Sequence, residues 1–137
     1  MKLLVAVAMV LSLPAGAARA DNENCRKSRE YLLGTPGGDQ SLTPQGYNDL
    51  FKICIATSAM PNVKEAYMLR DGGIAVIPKQ DSVSATASTL AQFCDAYPHG
   101  VLRFITRKEK LSIRSVTDVA RMSSTSSTPC KKIKGLS

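Results

Sequence analysis

Four cysteines, Cys25, Cys54, Cys94 and Cys130, constrain what this chain can fold into more than any other feature. Their meaning depends on the compartment, and the start of the chain indicates which one. Met1-Lys2 is a short basic opening, Leu3 to Leu13 is an apolar run, Pro14-Ala15-Gly16 breaks it, and Ala18-Arg19-Ala20 is a small-x-small pattern. That order predicts a signal peptide over residues 1–20, cleaved after Ala20. The apolar run is too short for a bilayer span, which takes roughly 20 residues. The residue after the cut is Asp21 rather than Cys, so no lipid anchor is expected. The mature chain is expected to begin at Asp21, to be exported to the periplasm and to have no stable membrane insertion.

In an exported chain an even cysteine count predicts two disulfides rather than free thiols. A metal site is not expected, because no CxxC pair occurs and His99 is the single histidine. Four cysteines allow three pairings. If residues 25–33 and 46–58 form an antiparallel helical hairpin, Leu33 lies near Gly46. Equal steps away from that turn then bring Cys25 opposite Cys54, which leaves Cys94 with Cys130. This geometry favours one pairing without excluding the other two.

Helical periodicity is clearest after Thr43-Pro44, a capping residue followed by a proline suited to the first helical position. Tyr47, Leu50, Phe51, Cys54, Ile55 and Ser58 recur at steps of three and four on one face. Val63 to Leu69 reads as a further short helix after the interruption at Pro61-Asn62. Ile74-Ala75-Val76-Ile77, between Gly72-Gly73 and Pro78, is too short for a helix and reads as a strand or a buried extended segment. Asp81 or Ser82 can cap a helix that presents Val83, Leu90, Phe93, Cys94 and Tyr97 on one side and stops at Pro98-His99-Gly100. Val101 to Thr106 is β-leaning, with strand and helix both open. Ser112 to Met122 reads as a last helix of about three turns, and Ser123 to Pro129 is polar and of low complexity. The expected fold is therefore mainly α: a small disulfide-linked bundle of three to four short helices with one extended connector. Residues 21–122 would form this helical domain, and 123–137 a polar basic tail tethered through Cys130.

Charge is divided unevenly. Residues 21–97 hold seven Lys/Arg against nine Asp/Glu, whereas residues 98–137 hold nine against two. In an exported protein a basic half points to an acidic or envelope-acting protein partner rather than to nucleic acid. The densest basic cluster is Arg103, Arg107, Lys108, Lys110 and Arg114. With Phe104 as an apolar anchor, it is the candidate partner-binding patch. Self-association as a homodimer is left open. No catalytic set stands out. His99 lies in a turn without an orienting acid beside it, the serines of 123–128 lack a GxSxG context, and the carboxylates are scattered. An enzyme is not expected, nor is a cofactor.

Ile77-Pro78, the helix through Ser88-Thr89-Leu90-Ala91-Gln92-Phe93-Cys94-Asp95-Ala96-Tyr97-Pro98, and the closing Thr128-Pro129-Cys130 together resemble the small periplasmic immunity proteins of type VI secretion, of the Tai and resistance-associated type. The resemblance covers about half of the mature chain. It implies an all-helical, disulfide-linked fold and an exported binding protein that neutralises an envelope-targeted secreted effector. Phe93-Cys94 stands where that family prefers an aromatic-Leu pair, and Val101–Leu111 is longer and more basic. A second resemblance, through Gly73-Ile74-Ala75-Val76-Ile77-Pro78 followed by a helix and Cys94, is to HdeA-type periplasmic acid-stress chaperones. That one implies a helical fold, a Cys25–Cys94 bridge and, as the alternative function, a periplasmic acid-stress chaperone that unfolds in acid to expose apolar surface.

Two disulfides should each contribute about 2–4 kcal/mol. A reducing agent is therefore expected to lower the melting temperature markedly, as read by circular dichroism. An unchanged transition would mean that the cysteines are unpaired.

Overall fold

The computed structural model describes residues 23–34, 42–124 and 128–130. The expected signal peptide, the start at Asp21 and most of the basic tail lie outside the described residues. Helix α1 spans 23–34 and α2 spans Pro44–Ser58. Strands β1 (Val63–Met68) and β2 (Ile74–Pro78) follow, then α3 (Val83–Ala96) and β3 (Val101–Phe104). Two short helices, α4 (Arg107–Ser112) and α5 (Val116–Ala120), precede the two-residue strand β4 (Thr128–Pro129).

The first helix buries Cys25, Ser28 and Leu32 along one stripe. On its outer side Arg26 pairs with Glu23 and Glu30, three and four residues away. The Thr43 hydroxyl accepts the Gly46 N–H to start α2, and the Ser82 hydroxyl accepts the Ala85 N–H to start α3. Both caps satisfy backbone donors that a helix start leaves open. The β1–β2 hairpin turns through Gly72, whose φ of +99° suits a residue without Cβ. Gly100 is required for a different reason: a Cβ there would come within 2.6 Å of the Phe93 ring.

The four strands form one mixed sheet in the order β1-β2-β3-β4. β1 and β2 are antiparallel, β2 and β3 are parallel across the α3 crossover, and β3 and β4 are antiparallel. Strand alternation decides what each face meets. Ala66, Met68, Ile74, Val76 and Leu102 pack in one cluster with Cys25, Tyr47, Cys54 and Phe93 from the first three helices. Tyr67, Ala75 and Ile77 pack on the other face with Ile105 and Val119, against the layer that holds α4 and α5. Strand β2 is thus buried on both faces from Ile74 to Ile77, which explains its unbroken apolar sequence.

The mainly-α expectation is therefore corrected: this is an α/β fold, and the all-helical fold that both resemblances imply is not formed. Val63–Met68 is a strand, although Lys64, Glu65, Ala66 and Met68 are good helix formers. Pairing with β2 and burial on both sides outweigh their local preference. The expected helix over 112–122 is also corrected: α4 ends at Ser112, the chain restarts at Ser115, and beyond Ser112 only Val116–Ala120 of that stretch is helical. Each short helix has its own capping box, Thr106 with Glu109 and Ser115 with Asp118. Val101–Phe104 resolves to strand. Among the described residues no helix is long and apolar enough to cross a membrane.

Both disulfides are present. Cys25 pairs with Cys54 and Cys94 with Cys130, at Cα separations of 5.8 and 5.1 Å. This is the pairing that hairpin geometry favours, and it replaces the Cys25–Cys94 bridge of the chaperone resemblance. The first bridge ties α1 to α2, and the second ties α3 to the residue after β4.

Strand β1 is a sheet edge, and α1 covers it. The Met68 N–H points away from β2 and donates to the Ser28 hydroxyl at 3.0 Å. That hydroxyl donates in turn toward the Asn24 and Cys25 carbonyls. Ser28 is fully buried, so its loss strands a backbone donor with no water to replace it. Ser28→Ala is expected to cost about 1–3 kcal/mol. In urea unfolding the midpoint should fall while the slope stays unchanged. An unshifted midpoint would show that the Met68 N–H does not depend on Ser28.

Candidate functional site

The second sheet face is not fully covered. Between α1 on one side and the α4–α5 connection on the other lies an open cleft of about 860 Å³. Its floor is Glu65, Tyr67 and Ile77, neighbouring side chains of β1 and β2. One wall is the outer stripe of α1, Lys27, Glu30 and Tyr31, which helical spacing brings side by side. The other wall runs from Lys110 through Ile113 and Arg114 to Val116.

The floor is held by hydrogen bonds. The Tyr67 hydroxyl donates to the Glu65 carboxylate, which also accepts from the Asn24 amide at 3.5 Å. Burial, reinforced by the adjacent Glu65 carboxylate, holds the Tyr67 phenol well above the ordinary tyrosine range. Tyr67 therefore remains a neutral donor at every physiological pH. In the wall, Glu30 is engaged by Arg26, and Lys27 lies 3.8 Å from Glu23. The Lys110 ammonium and the Arg114 guanidinium form no ion pair within 4 Å among the described residues; the Arg114 backbone N–H donates to the Asp118 carboxylate at 2.8 Å.

The six residues of the expected patch do not share one surface. Arg103 turns inward on the second sheet face, where it pairs with Glu109 and donates to the Ser123 carbonyl. It ties α4 to the chain after α5, and its side chain is only 12% exposed. Phe104, next along β3, faces the opposite side and packs against the first core. Alternation along a strand forces this division. Arg107 and Lys108 are exposed on α4, with Arg107 3.8 Å from Asp81. Lys110 and Arg114 remain at the cleft, joined there by Lys27, Tyr31, Glu65 and Tyr67, which the sequence reading did not select. Their signal was present in Glu65-Ala66-Tyr67: a strand puts residues two apart on one face, whereas a helix turns them away from each other. His99 is exposed in its turn. Among the described residues no cluster of His, Cys, Asp or Glu has the arrangement of a metal site, and all four cysteines are in bridges.

The layer that forms the far wall is fixed by two carboxylates. Asp71, in the β1–β2 turn, accepts the backbone N–H of Ser124 at 2.7 Å and its hydroxyl at 2.8 Å. The same turn receives further support: the Arg70 N–H donates to the Ala120 carbonyl and its guanidinium to the Arg121 carbonyl. Partial burial pushes the Asp71 carboxyl up, but the bonds from Ser124 and from nearby backbone outweigh it and hold it below the ordinary value. For Glu109 the Thr106 backbone N–H is the largest influence, Arg103 adds to it, and the carboxyl is again held low.

No protein-family model, no curated protein and no solved structure matches this chain.

Carboxyls held low in the folded state stabilise it fully at neutral pH, and lose that contribution as pH falls from their unfolded values, about 4, through their lower folded values. Unfolding free energy is accordingly expected to decline as pH is lowered through that range. In Asp71→Asn the decline should be shallower, measured by urea titration at each pH. An identical pH slope in the variant would remove Asp71 from the account.

Proposed function

We propose that this chain is an exported binding protein, and more specifically an immunity protein that binds and neutralises an envelope-targeted secreted effector. The cleft on the second sheet face carries this reading. It combines Tyr67 and Ile77, beside the Glu65 carboxylate, with the Lys110 and Arg114 side-chain cations that form no ion pair among the described residues, a mixture by which protein surfaces anchor and orient another protein. A basic C-terminal half suits an acidic partner, and charge of one sign speeds encounter. Two disulfides suit a small fold in an oxidising compartment, where thiol reductants do not undo them. The sequence resemblance to periplasmic immunity proteins supplies the effector. Since the fold is not all-helical, the reading rests on the site and on export rather than on shared architecture.

The test is a competition between sister cells that carry the secretion system. A strain that lacks this protein is expected to be killed by its siblings and to be restored by the wild-type chain targeted to the periplasm. The purified, oxidised protein should inhibit the envelope-degrading effector in a stoichiometric complex. Full resistance of the deletion strain would overturn the immunity reading.

A further inference from the structure

The cleft does not end at Lys110. A second cavity of about 200 Å³ shares Ile77 and Lys110 with it and continues along the sheet toward Pro78 and Arg107. Lys64 of β1 and Lys79, which follows β2, lie along this narrow part. The two cavities together make one groove, wide and partly apolar at the α1 end, narrow and basic at the other.

Charge along the groove is unbalanced in a way that composition alone does not reveal. Of its acids, Glu30 pairs with Arg26 and Asp81 lies near Arg107, while Glu65, held by the neutral Tyr67 hydroxyl and Asn24 amide, keeps its charge on the floor of the wide part. The side-chain cations of Lys64, Lys79, Lys110 and Arg114 form no ion pair within 4 Å among the described residues, although the Arg114 backbone N–H donates to the Asp118 carboxylate. These four come from β1, the loop after β2, α4 and the α4–α5 connection. The fold thus brings side-chain cations without ion-pair partners from separate parts of the chain to the lining of one groove. Like charges gathered in this way repel one another unless an anion lies between them.

We propose that this groove binds an extended acidic segment of a partner protein, with an apolar side chain seated against Ile77, Ile113 and Val116 and carboxylates drawn to Lys64, Lys79, Lys110 and Arg114. The proposal deepens the binding reading above and rests on it. Three observations select a polypeptide. A nucleic acid carries a phosphate on every nucleotide, and its uniform charge would run beside the Glu30 and Glu65 carboxylates of the wide part. Tyr67 is only 5% exposed with its hydroxyl engaged, so its ring is floor rather than a stacking platform for bases. A peptide, by contrast, offers N–H donors to the floor carboxylate and can alternate apolar with acidic side chains. The chain's own C-terminal segment is excluded by sign, since Lys131, Lys132 and Lys134 make it basic.

The test uses the full mature, oxidised protein and three fluorescein-labelled probes. These are a peptide alternating glutamate with leucine, the same peptide with glutamine for glutamate, and an oligothymidine of matching charge. Anisotropy titrations are expected to show binding of the acidic peptide that weakens as salt rises, and weaker binding of both other probes. The double variant Lys64→Glu/Lys110→Glu should bind the acidic peptide at least about tenfold more weakly, because two attractions become repulsions. Lys52→Glu, exposed on α2 and outside the groove lining, should bind as wild type. Circular dichroism melts check that each variant is folded. Should the double variant prove unfolded, Lys64→Gln/Lys110→Gln carries the same comparison. Equal binding of the glutamine peptide, tighter binding of the oligonucleotide, or retained affinity in the folded double variant would each overturn the proposal. A double variant that loses the peptide yet still neutralises an effector would overturn the groove while leaving the immunity function standing. Loss of the peptide with no effector neutralised by the wild type would support the groove and remove the immunity reading alone.

Discussion

The contact on which the rest of this structure depends is the seating of α1 on the edge of β1. A sheet edge exposes unpaired backbone donors and acceptors and invites association with other chains. Here the Ser28 hydroxyl takes the Met68 N–H, and the Cys25–Cys54 bridge clamps the helix that carries Ser28 to its neighbour α2. Cys25 and Leu32 extend the same stripe into the first core. Because one face of α1 is fixed in this way, the stripe of Lys27, Glu30 and Tyr31, of which Tyr31 also packs against the first core, is fixed too and becomes a wall of the groove. A single helix thus closes the edge, joins the core and walls the groove.

Burial of β2 on both faces imposes the second layer. A strand apolar on each side needs cover from each side, and the chain supplies three helices on one and the short α4–α5 segment on the other. The second cover is thin and rests on polar anchors: Arg103 with Glu109, Asp71 with Ser124, and Arg70 with the carbonyls of Ala120 and Arg121. Incomplete cover is what leaves the groove open. The layer that walls the groove is also the one most sensitive to acid, since two of its anchors are carboxylates.

Much of the first layer could be read from the residues. Thr43-Pro44 and Ser82 start helices where they should, Ile74–Ile77 is the extended segment, and the spacing of Cys25 and Cys54 about a hairpin matches the bridge formed. The second layer was less legible, for physical reasons. Val63–Met68 contains good helix formers, and only its antiparallel partner makes it a strand. Read as a helix, it hides the pairing of Glu65 with Tyr67 on one face. The capping boxes at Thr106 and Ser115 are short signals inside a basic stretch whose apolar residues suggest one longer helix. The expected partner patch groups neighbours in sequence, whereas β3 sends Arg103 and Phe104 to opposite faces. Lys64 and Lys79 reach the groove from parts of the chain that carry no local excess of charge, so only the fold brings them together.

The claim that α1 serves as both edge cover and groove wall is tested most directly by amide hydrogen exchange at Met68. In the oxidised protein this amide should exchange as slowly as those of β2, opening only with global unfolding. In a folded Cys25→Ser/Cys54→Ser variant, protection at Met68 should fall well before that at Val76, as α1 lifts from the edge. Fast exchange at Met68 in the oxidised protein, or equal protection of both amides in the variant, would contradict the account.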